Sequence, residues 1–144
     1  MIANVLLVED NPGDVRLTQE AFRDTNRTAR LFIATDGVEA MSFLRREGIN
    51  ADNPRPDLIL LDLNLPKMDG REVLAAIKQD ADLKSIPVLI LTTSDALPDI
   101  RRCYQLQANC YLNKPVELED FESLVKSINE FWLTRAKQLR LEAR

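Results

Sequence analysis

Five polar side chains stand at one repeated kind of place in this sequence, directly after a short apolar run. Glu9 and Asp10 follow VLLV (5–8), Asp62 follows LILL (58–61), Thr92 follows VLIL (88–91), and Lys114 follows the run that begins CYL (110–112). An Asp at the end of a buried strand is unfavourable unless something binds it. Carboxylates held close together repel and raise one another's pKa unless a cation intervenes. A donor set made only of oxygen suits Mg²⁺, which keeps several waters and takes one or two carboxylates with phosphate oxygens. Lys114 offers a compact positive charge to an anion, and Thr92 offers a hydroxyl donor. Between a cation and an ammonium, Asp62 becomes a nucleophile toward phosphorus, because the charge on the incoming phosphoryl oxygens is offset. The chain has no histidine. That removes the commonest general base, much of zinc chemistry, and any Ser–His or Cys–His nucleophile pair.

These residues need elements that bring them together. Apolar runs at 5–8, 31–34, 58–61, 88–91 and 110–112 have strand length, and their continuous apolarity suits strands buried on both faces. Helical patterns lie between them. Pro12 sits at a first helical position behind Asn11 as N-cap, and the last helix starts near Glu117. The alternation predicts an α/β fold: a doubly wound, five-stranded parallel sheet with five helices, the last one extended. The flavodoxin-like order 2-1-3-4-5 places ligands beyond the carboxyl ends of the strands, at the switch point between strands 1 and 3. Glu9, Asp10 and Asp62 then crowd together. The chain reads as one domain over 1–144, with a core at 3–130 and a helical extension at 131–144.

Composition narrows the partners. Apolar content of 45%, charged content of 29% and a net charge of −4 describe an ordinary globular chain. No basic stripe suggests nucleic acid, and no apolar run approaches the roughly 18 residues of a membrane span. The N-terminus turns acidic too soon for a signal peptide. Cys103 and Cys110 lack metal spacing and fit a reducing cytoplasm.

The segments VLLVEDNPGD, DLILLDLNLPKMDG, PVLILTTSD and CYLNKP, in that order, resemble the bacterial response-regulator receiver domain over about residues 3 to 130. The resemblance implies that Asp62 accepts a phosphoryl group from a phosphohistidine on a sensor histidine kinase. It implies a protein that assists its own phosphorylation and dephosphorylation, not a turnover enzyme. It assigns Mg²⁺ to Asp10, Asp62 and the backbone carbonyl of Asn64, with Glu9 acting through a water. Lys114 would contact the phosphoryl group, with a cis bond to Pro115. Thr92 and Tyr111 would form the switch pair. Thr93 stands where such domains often carry Ala or Gly. More narrowly, VEDNPGDVRLTQEAF, DGVEAMSFLRREG, NCYLNKP and the long C-terminus resemble single-domain regulators paired with cyanobacterial phytochromes. The absence of a recognisable output domain after Glu130 is expected to leave signalling to partner binding or self-association.

Two other classes fit less well. A phosphatase of the haloacid dehalogenase type needs a second Asp two residues after the nucleophile, where this chain has Asn64. A flavodoxin-type flavin module needs a Ser/Thr/Gly-rich phosphate loop after strand 1, where EDNPGD would repel phosphate. A docking module independent of phosphorylation leaves the acid pocket unexplained. Asp36 and Asp69 each precede Gly and read as caps or turns, and Asp14 reads as a first-turn acid favourable to the helix dipole.

The C-terminal pattern suggests a homodimer. Phe121, Leu124, Val125, Ile128, Phe131, Trp132, Ala136 and Leu139 recur at steps of three and four, on one helical stripe. A helix of about 25 residues is about 37 Å long, whereas a strand of five or six spans about 17–20 Å. Phe121 is expected to contribute to the dimer face, and Phe131, Trp132 and Leu139 to overhang the sheet. For Lys114→Ala, loss of a desolvated amine is expected to stabilise the resting protein.

Overall fold

The structure is a computed structural model and describes residues 3–25 and 29–135. The strands are β1 (Ala3–Val8), β2 (Ala29–Ala34), β3 (Leu58–Leu61), β4 (Val88–Thr92) and β5 (Cys110–Asn113). The helices are α1 (Pro12–Thr25), α2 (Gly37–Leu44), α3 (Gly70–Gln79), α4 (Leu97–Gln105) and α5 (Leu118–Ile128). All strand pairs are parallel, in the order β2-β1-β3-β4-β5. The five-stranded doubly wound fold is therefore the one expected. No helix among the described residues is long and apolar enough to cross a membrane.

Successive strand side chains point to opposite faces, so each central strand feeds two cores. Val5, Leu7, Leu58, Leu60 and Leu89 pack with Phe22 of α1 and with Phe121 and Val125 of α5. Leu6, Val8, Ile59, Leu61 and Ile90 pack on the other side with Met41 of α2, Val73 and Ile77 of α3 and Cys103 of α4. Burying each large apolar side chain is worth about 1.5–3 kcal/mol. This explains why β1, β3 and β4 read as unbroken apolar runs.

The starts of α1, α2 and α3 are set by polar residues at their N-termini. Asn11 Oδ1 accepts from the Asp14 N–H at 3.0 Å, ahead of Pro12. Asp36 accepts from the Glu39 N–H at 2.7 Å and Asp69 from the Arg71 N–H at 2.9 Å. Both therefore serve as the caps their Asp-Gly sequences suggested. Gly70 has a further reason. A Cβ there would collide with the Asp62 carbonyl oxygen and the Leu63 backbone, so α3 closes tightly onto the loop that carries Asp62. The Gly70 N–H donates to the Leu63 carbonyl at 2.8 Å.

The C-terminal stripe departs from expectation. After Ile128 the chain forms a π-helix, Asn129–Arg135. Its i→i+5 bonding adds a residue to each turn and rotates the later side chains off the α-helical stripe. Phe121, expected at a dimer face, is 1% exposed and belongs to the domain's own core. Trp132 and Leu133 pack half-buried against that core, while Phe131 is 54% exposed. Ala136 and Leu139 lie outside the described residues.

Candidate functional site

The strand register assembles the site. Val8 pairs with Leu61, and the Asp62 N–H donates to the Val8 carbonyl at 3.1 Å, so Glu9 and Asp62 leave adjacent strand ends together. Thr92 pairs with Asn113, and the Lys114 N–H donates to the Thr92 carbonyl at 2.7 Å. Lys114 thus starts from the strand end that faces the acids. Carboxylate oxygens of Glu9, Asp10 and Asp62 lie within 4.8 Å of one another. Glu9 and Asp62 are buried and Asp10 is exposed, which leaves the cluster open to solvent on one side.

Lys114 Nζ holds this cluster. It lies 2.6 Å from Glu9 Oε1, 3.1 Å from Asp62 Oδ2 and 3.1 Å from Asp14 Oδ2. Burial alone would lower the pKa of its ammonium, but its bonds to Glu9, Asp62 and Asp14 outweigh that and raise it. Burial pushes the Glu9 carboxyl up to about 7, against the lowering effect of its bond to Lys114. Asp62 Oδ1 accepts from the Leu63 N–H at 2.8 Å, which fixes the carboxylate plane. The Asp14 contact is not visible in the sequence. Asp14 does lie in the first turn of α1, but its side chain also reaches a lysine 100 positions away. The geometry argues against the expected gain from removing Lys114: the ammonium is ion-paired to three carboxylates, so its loss would leave like charges facing one another.

Among the described residues, the buried Thr92 Oγ1 has no hydrogen-bond partner. A fully buried hydroxyl without a partner is uncommon, because desolvation without a bond costs about 1–3 kcal/mol. Asn64 is exposed on the loop two residues past Asp62. The Lys114–Pro115 bond is trans, not cis as expected. The trans preference of an X–Pro bond is only about 0.5–1 kcal/mol, and here Lys114 reaches all three acids with the bond trans.

Tyr111 is half-buried, and its hydroxyl donates to the Ser94 carbonyl at 2.8 Å. That contact belongs to a network the sequence did not reveal. Ser94 Oγ donates to Asp99 Oδ2 at 2.6 Å, and Arg71 Nη2 donates to Asp99 Oδ1 at 2.7 Å. The network ties the β4–α4 loop, the first turn of α4 and the start of α3 to one another. Ser94 and Arg71 both hold the Asp99 carboxyl below its ordinary value.

Residues 5–126 match the family described as the response regulator receiver domain. Response regulator Rcp1 of Synechocystis sp. is 52% identical over 129 residues, covering 90% of this chain and 88% of that protein. The crystal structure of the phosphorylated cyanobacterial phytochrome response regulator RcpA superposes with a TM-score of 0.91 at 50% identity, covering 96% of this chain and 99% of that one. The Mn²⁺-bound form of Rcp1 superposes with a TM-score of 0.88 at 48% identity, again covering 96% and 99%.

Proposed function

The chain belongs to the response regulator receiver domain family, and from that premise we propose that Asp62 accepts a phosphoryl group from a phosphohistidine of a sensor histidine kinase of the phytochrome type. The observation that carries this reading is the acid cluster at the strand ends, with a buried ammonium bonded to the acceptor carboxylate. The phytochrome assignment draws on similarity to RcpA and Rcp1. In the transfer, a carboxylate oxygen of Asp62 forms a bond to phosphorus as the P–N bond breaks. The electron pair stays on the imidazole nitrogen, which takes a proton. Asp62 is held for this step by the Leu63 N–H, and Lys114 supplies a donor for the phosphoryl oxygens.

The donor set fits a hard divalent cation, since it is made of carboxylate oxygens gathered within 4.8 Å. Asp10, Asp62 and the Asn64 carbonyl would hold Mg²⁺, with Glu9 reaching it through a water. When bound, the ion adds positive charge that offsets the phosphoryl oxygens. The test uses a pre-phosphorylated, desalted histidine kinase, mixed with the protein in Mg²⁺ or in a chelator. Label is expected to move to the protein in Mg²⁺ only. Equal transfer in chelator would refute the cation requirement.

Thr92 and Tyr111 serve as the switch pair in this reading. The unpartnered Thr92 hydroxyl is free to bond a phosphoryl oxygen, and Tyr111 already touches the loop after Thr92. Thr92→Ala is expected to take up phosphate yet lose most of the shift in the Tyr111 ring resonances. A ring that responds as in the parent would rule out the hydroxyl relay.

Self-association through the C-terminal segment is supported by Phe131. It is 54% exposed beside Trp132, with ring centroids 5.1 Å apart at 79°. Burying the exposed half of such a ring is worth about half of the roughly 1.5–3 kcal/mol of full burial, and a twofold contact is the commonest way to do so. Phe131→Glu is expected to lower the sedimentation coefficient from dimer toward monomer while phosphotransfer continues. A parent protein that sediments as a monomer at tens of micromolar, phosphorylated or not, would end this idea.

A further inference from the structure

Lys114 presents a donor count that the proposed reaction must change. An ammonium carries three N–H donors, and here three carboxylates surround it: Glu9 at 2.6 Å, Asp14 at 3.1 Å and Asp62 at 3.1 Å. A phosphoryl oxygen that binds Lys114 must therefore displace one of them. The three are not equally easy to displace. The Glu9 side chain is 3% exposed, so its release would strand a buried charge, whereas the Asp62 side chain, 7% exposed, carries the incoming group itself and stays beside Lys114 after transfer. The Asp14 side chain is 24% exposed and stands on the first turn of α1, outside the strand ends, where water can take over its solvation. An acid in that turn is also favoured by the helix dipole without any help from Lys114.

We propose that Asp14 is a positioning residue that occupies Lys114 in the resting protein and yields it to the phosphoryl group, so that it competes with phosphorylation. The inference rests on the reading of Asp62 as phosphoacceptor. Asp14 stands outside the cluster of Glu9, Asp10 and Asp62 and is bonded to Lys114, through which it acts. With Asp14 neutralised, Lys114 retains its two buried partners and has one donor to spare for an incoming anion. Asp14→Asn keeps the shape of the side chain and removes its charge. Asp14→Glu keeps the charge.

The test measures the affinity of the protein for beryllofluoride, a non-covalent phosphoryl mimic, by fluorine NMR at saturating Mg²⁺. Asp14→Asn is expected to bind beryllofluoride about fivefold more tightly than the parent, the equivalent of about 1 kcal/mol. Asp14→Glu is expected to return most of the way to the parent value. A purely structural role in α1 would lower the melting temperature of Asp14→Asn and leave the affinity unchanged. Equal or weaker binding by Asp14→Asn, with the parent binding normally, overturns the competition. A parent that binds no beryllofluoride and takes no phosphoryl group overturns the phosphoacceptor reading itself, and the competition with it.

Discussion

Asn in place of Asp62 is expected to give a folded protein that accepts no phosphoryl group. The amide matches the carboxylate in shape, and its oxygen can keep either the Leu63 N–H or the Lys114 donor. One hydrogen bond is lost, about 1 kcal/mol. Removing one of the clustered negative charges offsets part of that loss. Stability is therefore expected to stay within about 1 kcal/mol of the parent. The chemistry does not survive, because an amide oxygen is not a nucleophile toward phosphorus. Loss of a nucleophile lowers rates by at least about a thousandfold. Incubation with a phosphorylated histidine kinase and Mg²⁺ should label the parent and leave Asp62→Asn blank. Parent-like labelling of the variant would remove Asp62 from the acceptor role.

Lys114→Ala is expected to be damaged even before any phosphoryl group arrives. The Lys114 side chain is 6% exposed and bridges three carboxylates from α1 and the ends of β1 and β3. Breaking a buried ion pair by removing one partner costs about 3 kcal/mol at the low end. The loss is largest in a chelator, where no cation faces Glu9 and Asp62. Added Mg²⁺ should recover part of it. The pH dependence has a definite sign. The folded-state pKa of Lys114 is raised, so its stabilisation is present below the ordinary lysine value, in full only where Glu9 is ionised, above about pH 7, and is lost as the pH climbs beyond the lysine value. Urea denaturation of parent and variant, each with chelator and with Mg²⁺, measures the effect. A variant as stable as the parent in chelator would show that the three contacts contribute nothing.

What the sequence made legible was decided by burial. β1, β3 and β4 lie in the middle of the sheet, with Leu6, Ile59 and Ile90 on one face and Leu7, Leu60 and Leu89 on the other. A strand covered on both faces leaves an unbroken apolar run, so its end is visible, and so is the polar residue beyond it. Glu9, Asp10, Asp62 and Thr92 could be found for that reason, whereas Lys114 follows the half-buried edge strand β5, whose apolar run is shorter. Asp14 and Lys114 are 100 positions apart, and Arg71 and Asp99 are 28 apart. Nothing local marks such partners, because the contact depends on side-chain reach after folding. The π-helix after Ile128 was hidden for another reason. Phe131 and Trp132 continue the spacing of three and four, and the change of pitch moves them without changing that pattern. Phe121 fits the same stripe but falls where the sheet covers it.

On the proposed reading, the side chain of Asp62 carries the phosphoryl group, in an acyl linkage that forms only with a divalent cation. The most direct measurement is borohydride reduction of the freshly phosphorylated protein, with tandem mass spectrometry of its peptides afterwards. Reduction converts an aspartyl phosphate to homoserine and leaves free carboxylates untouched. Homoserine is predicted at position 62, with none in samples phosphorylated in chelator. Homoserine at another Asp, or phosphate retained on a Ser or Thr with position 62 unchanged, would place the phosphoryl group elsewhere than on Asp62.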